Sequence, residues 1–527
     1  MATITRTVQL IQALKFVDGT QVYAVSGEAI HFANSWDDIS DDVLGIKKFS
    51  HNRGVYGILP TNCVATPGSF NLSLKNDASN SAGKVGYYSF NHANVRPGFE
   101  KGAEVRVRYV YSGTTTYHWR GRIADVLPSP DPNKPFVDVI CYDWMLEAQE
   151  QKLKEIQVTT SQRVDQGIQT MLNILPNGKL PAETSLDVGI STLPVLFDSE
   201  RDEKTTIIQV MQKMAQSELG QIFVNAGSSG EQLVFHNRHH AATESVVQYD
   251  FDDSISEIAT SYPSNLLKTV VQVVVYPREY DESDVVLGQL QKSFSVGAGA
   301  DRDITLLYRD PNGNSRISTN ELAARVSGTD YSATANEDGS GGDRTSGMVV
   351  TVVSQSGNSI KLNIANTSDV LFWVQVTQQK GKGIYLFDPL QYESRSSEDK
   401  ITRYGERLLR FDMPYEDNYN MAVNIADYLK EVWQELICSV TGLAYYPERS
   451  AALAQAFVDI DIGKRITINL PQVGLDQDYF VRSITISYNE DKIRCEYGVA
   501  PAEASTWLVL DDIIFAVLDS NYAKLAI

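Results

Sequence analysis

The densest set of possible metal ligands is the segment His236-Asn237-Arg238-His239-His240. It stands at the end of a predicted strand, and imidazole nitrogen is a common ligand of zinc and other transition metals. Adjacent side chains of a strand point to opposite faces, so His239 and His240 cannot easily bind one ion. We therefore interpret the segment as a polar strand end and predict no metal site there.

Two groups of carboxylates are the next candidates for chemistry. Paired carboxylates hydrolyse glycosidic bonds when they are held about 5 to 10 Å apart, and carboxylate oxygens also bind Ca²⁺. The spacing does not place two of them across a cleft, and it is not that of an EF-hand. The first group lies near a predicted strand start and the second in a predicted loop: Asp250, Asp252 and Asp253, then Asp281, Glu282 and Asp284.

Sequence motifs of catalysis are missing. We find no GxGxxG after a predicted strand, no GxxxxGK[ST], no GxSxG and no HExxH. The cysteines show no CxxC spacing, so neither a disulfide framework nor a zinc site is expected, and we predict reduced thiols. They are Cys63, Cys141, Cys438 and Cys495. We predict no catalytic, cofactor-binding or metal-binding residue, no cofactor, and a protein that is not an enzyme.

The net charge of the chain restricts its possible binding partners. The 527 residues include 46 Lys and Arg against 66 Asp and Glu, a net charge of −20. Phosphate binding needs clustered basic residues, so a protein that grips nucleic acid is not expected. An acidic surface instead repels passing DNA within a Debye length of roughly 10 Å. One local basic group remains, beside Tyr109, Tyr117 and Trp119, and we interpret it as a solvated strand face that could contact an acidic protein: Arg96, Arg106, Arg108, Arg120 and Arg122.

The elements that carry these residues are mainly strands, since Tyr (26 residues), Val, Ile and Thr crowd many short segments. The length predicts two to four domains. Phe70, Leu72 and Leu74 alternate with polar residues, which is the period of a half-buried strand. The segments 105–109 and 117–121 predict a hairpin that turns at Ser112-Gly113, and the Pro-rich segment 128–132 predicts a second turn. We assign residues 1–150 to an N-terminal β-barrel.

Residues 151–248 predict a small α+β domain. One helix carries an apolar stripe from Val164 to Leu175, with Ser161 as its N-cap. A second runs from Ile207 to Leu219, with Gly220 as its C-cap. Two strands around the turn 227–230 complete the unit.

After residue 249 the strands return. We predict a second barrel from 249–290 and 396–500, which includes a helix from Met421 to Leu436, with a β-sandwich inserted at 291–395. The segment Ser327–Gly347 is rich in Gly, Ser, Thr and Asp, and it predicts a mobile loop. Residues 501–527 form a C-terminal tail segment. The predicted class is mainly β with a minor α+β part. No apolar run reaches the ~20 residues of a membrane span, and the N-terminus lacks the apolar core of a signal peptide.

The order of these strands and turns resembles minor tail proteins of long-tailed phages. The matching pieces begin at Pro67-Gly68 and end at Trp507–Asp511, so the resemblance covers most of the chain. Four of them fall in the N-terminal barrel: the strand 67–76, the pair Val95–Gly98 and Val105–Arg108, the strand Trp119–Pro128, and Val139–Trp144.

The resemblance implies a structural virion protein similar to the trimeric hub of contractile phage baseplates. In such hubs two barrels per chain adapt a sixfold tube to a threefold tip, and a channel is left for DNA. The implied partners are two further copies of the chain, the tail tube or distal tail protein, the tape measure protein, and tail fibres or receptor-binding proteins. The implied location is the tail tip of a virion assembled in a bacterial cytoplasm.

Two other classes remain open at this stage. One is a host-surface protein built of carbohydrate-binding sandwiches, which exposed aromatic residues such as Tyr385 or Phe387 would favour. The other is a cell-wall hydrolase, which requires carboxylates that converge in a cleft.

Overall fold

The computed structural model describes residues 3–11, 36–44, 49–131, 133, 135–176, 178–200, 204–252, 257–309, 316–435, 438–489 and 492–502. Strands dominate these residues, and the predicted mainly β, multidomain class is confirmed. Beyond its first two residues, the predicted tail segment 501–527 lies outside the described residues, as does Leu436. In the described chain no helix has the length and apolar character to cross a membrane.

The first group of strands has the predicted alternation. Phe70, Leu72 and Leu74 are buried. The predicted hairpin forms where Ser112 (φ 48°) and Gly113 (φ 84°) turn the chain. The elements are β1 (Thr5–Ile11), β2 (Trp36–Asp38), β3 (Ser50–Gly54), β4 (Ser69–Lys75), β5 (Glu104–Tyr111), β6 (Thr114–Pro128), β7 (Phe136–Tyr142) and helix α1 (Trp144–Glu150).

The predicted α+β elements are also present. Both helices turn an apolar stripe inward, and the last two strands pair around the turn 227–230. The elements are β8 (Thr159–Arg163), α2 (Val164–Asn173), β9 (Glu183–Leu186), β10 (Thr192–Leu196), α3 (Ile207–Glu218), β11 (Gln221–Ala226), β12 (Glu231–His236) and α4 (His240–Thr243).

Both predicted helix caps are wrong. Ser161 lies within β8, and α2 begins after Arg163, whose N–H donates to Gln166 Oε1 at 3.1 Å. At the end of α3 the left-handed residue is Leu219 (φ 54°). Gly220 serves another purpose, since a Cβ there would lie 2.7 Å from the carbonyl oxygen of His236. The absence of a side chain at Gly220 allows the close approach of α3 to β12.

The inserted unit is a pair of packed sheets, and its strands run from Arg278 to Leu386. Apolar side chains such as Leu287, Leu362 and Phe372 fill the space between the sheets. Most of the segment 327–347, predicted to be a mobile loop, consists of turns and bends, but Tyr331–Thr334 forms β20, which pairs with β23. The elements are β16 (Arg278–Gln289), β17 (Phe294–Val296), β18 (Asp301–Leu307), β19 (Arg316–Leu322), β20 (Tyr331–Thr334), β21 (Met348–Ser356), β22 (Ser359–Asn366) and β23 (Phe372–Leu386).

The remaining elements form a small sheet covered by a helix and a second group of strands. The small sheet has the order β24-β15-β25, and α6 packs on it through Ile425, Leu429 and Trp433. The elements are β13 (Val247–Asp252), β14 (Glu257–Ser261), β15 (Val270–Val275), β24 (Leu390–Arg395), α5 (Glu398–Tyr404), β25 (Leu408–Met413), α6 (Tyr419–Trp433), β26 (Ser439–Tyr445), α7 (Ala451–Asp459), β27 (Arg465–Leu470), β28 (Leu475–Asn489) and β29 (Lys492–Pro501).

The two groups of strands join in one 13-stranded sheet. Its order is β14-β26-β29-β28-β3-β4-β7-β6-β5-β1-β2, with β27 and β13 branching from β28. The junction is the antiparallel pair β3–β28, in which Arg53 lies opposite Ile484. Two separate closed barrels were predicted, but the strands of the described chain close into none. The reason is that β3 pairs with β4 on one side and with β28 on the other.

The two groups of strands also share one hydrophobic core. One cluster of buried side chains extends from Val8 in β1 to Val499 in β29 and includes the inner faces of α2 and α3. Phe457 of α7 lies between the two groups: its ring stacks on His118 at 4.3 Å and meets Tyr109 edge-on at 5.0 Å.

Candidate functional site

The histidine segment lies at a junction between units. His236 ends β12 and His240 begins α4, and their rings stack with centroids 3.3 Å apart. His240 Nδ1 lies 2.8 Å from Asp187 Oδ2. Burial, and then the neighbouring His240, lower the pKa of His236 to about 3. No cluster of three metal-binding side chains occurs within the described residues.

A cavity of about 90 Å³ opens beside these rings. The α+β unit, helix α6 and strand β28 each supply part of its wall. The polar and aromatic groups that line it include Asn62, His236, Arg238, His240, Trp433 and Arg482. Arg482 is the most deeply buried cation of the set, with 6% of its surface exposed.

A second feature is an arginine–aromatic face on β2, β5 and β6, formed by Trp36, Arg106, Arg108, Tyr117 and Arg120. The guanidinium of Arg106 lies 4.0 Å from the Trp36 ring and 5.1 Å from the Tyr117 ring. That of Arg120 lies 4.5 Å from Tyr117. Such cation–π contacts stabilise a cation by about 0.5–2 kcal/mol.

The charges of this face make no close ion pair within the described chain, although Glu104 acts electrostatically on Arg106 and Arg120. Arg106 and Arg120 are direct cross-strand partners, an arrangement that is destabilising for like charges. Burial and then Arg120 lower the pKa of Arg106, although Tyr117 opposes this. Arg106 donates to Gln9 Oε1 at 2.7 Å, and Arg120 donates to the carbonyl oxygen of Ser228. In the described chain, no carboxylate lies within 4 Å of Arg106, Arg108 or Arg120.

The other two arginines of the predicted basic group are paired. Arg96 lies 2.5 Å from Asp37, and Arg122 lies 3.9 Å from Glu104 and 3.8 Å from Glu231. The predicted solvated strand face is therefore present only in part: Arg96 and Arg120 are 7% and 5% exposed, and three of the five arginines have no close carboxylate among the described residues.

The carboxylate candidates do not form a cleft. Asp250 and Asp252 lie on β13, and Asp253 is outside the described residues. Burial, followed by Asp476, Asp252 and Asp478, raises the pKa of Asp250. We call Asp250, Asp252, Asp476 and Asp478 together the acidic edge. The second group, Asp281, Glu282 and Asp284, lies on strand β16 and not in the predicted loop.

All four cysteines are free thiols. Burial raises the pKa of Cys63 and of Cys495 to about 12, and it raises the pKa of Cys141 as well. A thiol with a raised pKa carries little thiolate at neutral pH and is a poor nucleophile.

Sequence reasoning missed two buried arginines, Arg53 in β3 and Arg482 in β28. The available signal for Arg482 was its position in Phe480-Val481-Arg482-Ser483-Ile484, where a long cation interrupts an apolar strand. Arg53 gave no such signal, because its strand reads Ser-His-Asn-Arg-Gly and has no apolar alternation.

The fold and these surfaces define a multidomain β protein built around one continuous sheet. Over 95% of its length the chain is similar to two tail proteins: the 43 kDa tail protein of prophage MuSo2 from Shewanella oneidensis (TM-score 0.46, 10% identity, 99% of that chain) and the tail protein from Neisseria meningitidis MC58 (0.47, 8%, 99%).

The same share of the chain is similar to the half-lidded Francisella PdpA–VgrG complex, at TM-score 0.40 and 10% identity, with 59% of that chain covered. No family model matches the sequence, and no curated protein does.

Proposed function

We propose that the protein is a structural component of a phage tail: a homotrimeric hub at the distal end of the tail tube, not an enzyme. The observation that carries this proposal is the joining of two strand groups in one sheet through β3 and β28. Three copies would present six strand groups, which suits an adaptor between a sixfold tube and a threefold tip. The ordered resemblance of residues 67–144 to minor tail proteins supports the same role.

The arginine–aromatic face supplies a contact between copies. Arg106 and Arg108 are the cations that it can offer to a partner, since Arg120 is 5% exposed and Glu104, Glu183 and Glu231 act on it. In the acidic edge, burial and then Asp476, Asp252 and Asp478 raise the pKa of Asp250, and Asp478 also pairs with Arg465 at 2.6 Å. Two different surfaces of opposite charge form a head-to-tail interface, and such interfaces close into rings when the rotation between copies closes. In the proposed trimer the arginine–aromatic face of one copy contacts the acidic edge of the next.

The proposed ring surrounds a passage for DNA, and the tail tube, tape measure and fibre proteins contact the assembly. An acidic wall suits this passage because like charges repel the phosphate backbone and prevent sticking. The proposed site of action is the tail tip, after synthesis and assembly in the host cytoplasm.

Two measurements test the proposal. Light scattering on the purified protein should give three times the chain mass of 58.5 kDa, and antibody against the protein should label the far end of the tail in electron micrographs. A monomer at all concentrations, or label elsewhere on the particle, contradicts the hub.

A glycan-binding role is the second candidate. Phe387 after β23 is 43% exposed, whereas Tyr385 packs half-buried against the core of the insert. Binding to bacterial surface glycans that Phe387→Ala abolishes would favour this role. Release of soluble fragments from peptidoglycan would favour a hydrolase.

A further inference from the structure

Arg482 occupies a bulge in β28. The pairing of β28 with β29 shifts register between Val481 and Ser483, so that Arg482 is the extra residue. Bulges often lie next to binding sites, where they redirect a side chain. The bulge is held from the other side, because Val55 donates its N–H to the carbonyl oxygen of Arg482 at 2.8 Å. A Cβ at Gly54 would lie 2.3 Å from that oxygen, so only glycine allows this approach.

The charge of Arg482 has no counter-ion in the described chain. Nη2 donates to the carbonyl oxygen of Asn62, and Nε is buried without an acceptor. The titratable group that acts on Arg482 is Cys63, and its raised pKa of about 12 leaves that thiol neutral at pH 7. A buried cation is stable only when it is paired or well hydrogen-bonded. Arg482 is therefore poised for an anion that the chain itself does not supply.

The other charged groups around the cavity also leave Arg482 without an anionic partner. Arg238 donates to Ser191 Oγ at 2.9 Å and lies 3.9 Å from Glu218. Asp187 is engaged by His240, and Lys464 lies 2.9 Å from Glu244. The acidic groups near the cavity thus have partners already, and in the described chain no hydrogen bond engages the ring nitrogens of His236.

The size of the cavity limits the ligand. A volume of about 90 Å³ is several times what one water needs, and it is smaller than the roughly 150 Å³ that holds benzene. A tetrahedral or planar oxyanion fits in this volume.

We propose that this cavity binds one small oxyanion, of the phosphate or carboxylate type, with Arg482 as its charged anchor and His236 as a second donor. At neutral pH the His236 ring is uncharged, because burial and then His240 lower its pKa to about 3, and it would donate one ring N–H to the anion. The surrounding charges are Arg238, Glu218, His240, Asp187 and Lys464, and their pairing keeps them from competing for the anion.

Titration calorimetry of the full chain tests the site. Inorganic phosphate is titrated at pH 7.5 at constant ionic strength, with sodium acetate as the carboxylate arm and sodium chloride as the reference. We expect one phosphate per chain and an increase in the melting temperature over equal ionic strength of chloride. Tighter binding of acetate would identify the ligand as a carboxylate. Absence of binding by both anions would overturn the proposal.

Two variants and one control locate the binding. Arg482→Met should weaken binding at least tenfold, and it should not lower the melting temperature in chloride, because it removes an uncompensated charge. The matched control is Arg465→Met, another buried arginine of the same sheet, which lies 2.6 Å from Asp478; phosphate binding should persist. If Arg482→Met fails to fold, His236→Phe is the deciding variant: weaker phosphate binding supports the site, and unchanged binding overturns it.

Discussion

Arg53 Nη2 lies 2.5 Å from Asp461 Oδ1, a contact between residues 408 positions apart. The same guanidinium donates Nε to the carbonyl oxygen of His118 at 2.8 Å and Nη1 to Asn225 Oδ1 at 2.5 Å. Arg53 is 3% exposed. One side chain therefore connects β3, β6, β11 and the turn before β27, which belong to three different parts of the chain.

Replacement of Arg53 by Met should reduce the free energy of unfolding by about 3 kcal/mol, because three hydrogen bonds are lost and their acceptors keep no equivalent partner. Urea unfolding followed by circular dichroism measures the loss. The control is Lys101→Met in the exposed pair Lys101–Asp125, with an expected change of about 0.5 kcal/mol or less. Equal effects of the two substitutions would show that Arg53 does not hold the parts together.

Phe457→Ala should cost about 3–5 kcal/mol, because the ring is fully buried and its removal leaves a cavity. Since Phe457 connects α7 to β5 and β6, both strand groups should still unfold in one transition at a lower temperature. Far-ultraviolet circular dichroism and scanning calorimetry of the whole chain show the number of transitions. Phe387→Ala, at an exposed ring, serves as the control. Two separated transitions in the wild-type protein would contradict a shared core.

Stability should fall as the pH rises through the titration of Glu231. Burial raises the pKa of this carboxyl from 4.5 to about 7, against the pull of Arg122. The folded state therefore binds a proton between these values that the unfolded state has lost, and the stabilisation is complete below pH 4.5 and lost above pH 7. The difference corresponds to roughly 3 kcal/mol.

Melting temperatures between pH 5 and 8 check this dependence. Glu231→Gln should flatten the profile, and Glu104→Gln should shift it to lower pH, because Glu104 also raises the pKa of Glu231. Asp143 keeps a slope of its own, because burial and then Glu231 raise the pKa of its carboxyl. A wild-type stability that rises with pH across this range would show that Glu231 is ionised in the fold.

The double variant Arg106→Glu and Arg108→Glu should weaken the proposed trimer at least tenfold, because it reverses the charge that faces the acidic edge. Mass photometry at low and high salt measures the dissociation, and the wild-type contact should weaken with salt. Addition of Asp250→Lys and Asp476→Lys to the same chain should restore the trimer. Arg395→Glu is the control, since that arginine pairs within its own chain with Glu393 and Glu406. An unchanged oligomer would remove this face from the interface.

Local patterns predicted local structure well. The alternation of Phe70, Leu72 and Leu74, the hairpin at Ser112-Gly113 and the apolar stripes of α2 and α3 are all found as predicted. Each depends on residues that are near one another in sequence, where periodicity carries the information.

The sequence did not predict the long-range strand pairings, because these depend on residues that are far apart in the chain. Strand β3 buries His51 and Arg53 in place of apolar residues, so its period gives no sign that it joins β28. Within the Gly- and Ser-rich segment 327–347, residues 331–334 form a strand because β23 supplies a partner edge. Both outcomes depend on pairing that no local pattern contains, and the sequence therefore predicted two closed barrels where one open sheet exists.

The pairing of β3 with β28 can form only late in synthesis, after β28 has been made. Asn62, just after β3, and Arg482 of β28 are 420 residues apart, so a ribosome that adds about 5–20 residues per second needs roughly 20–80 s to pass from one to the other. During that time the edge of β3 has no partner from its own chain, and unpaired edges attract other strands. The nascent chain must therefore be protected until its last strands emerge, and a chain cut short before residue 475 would leave this edge open for good.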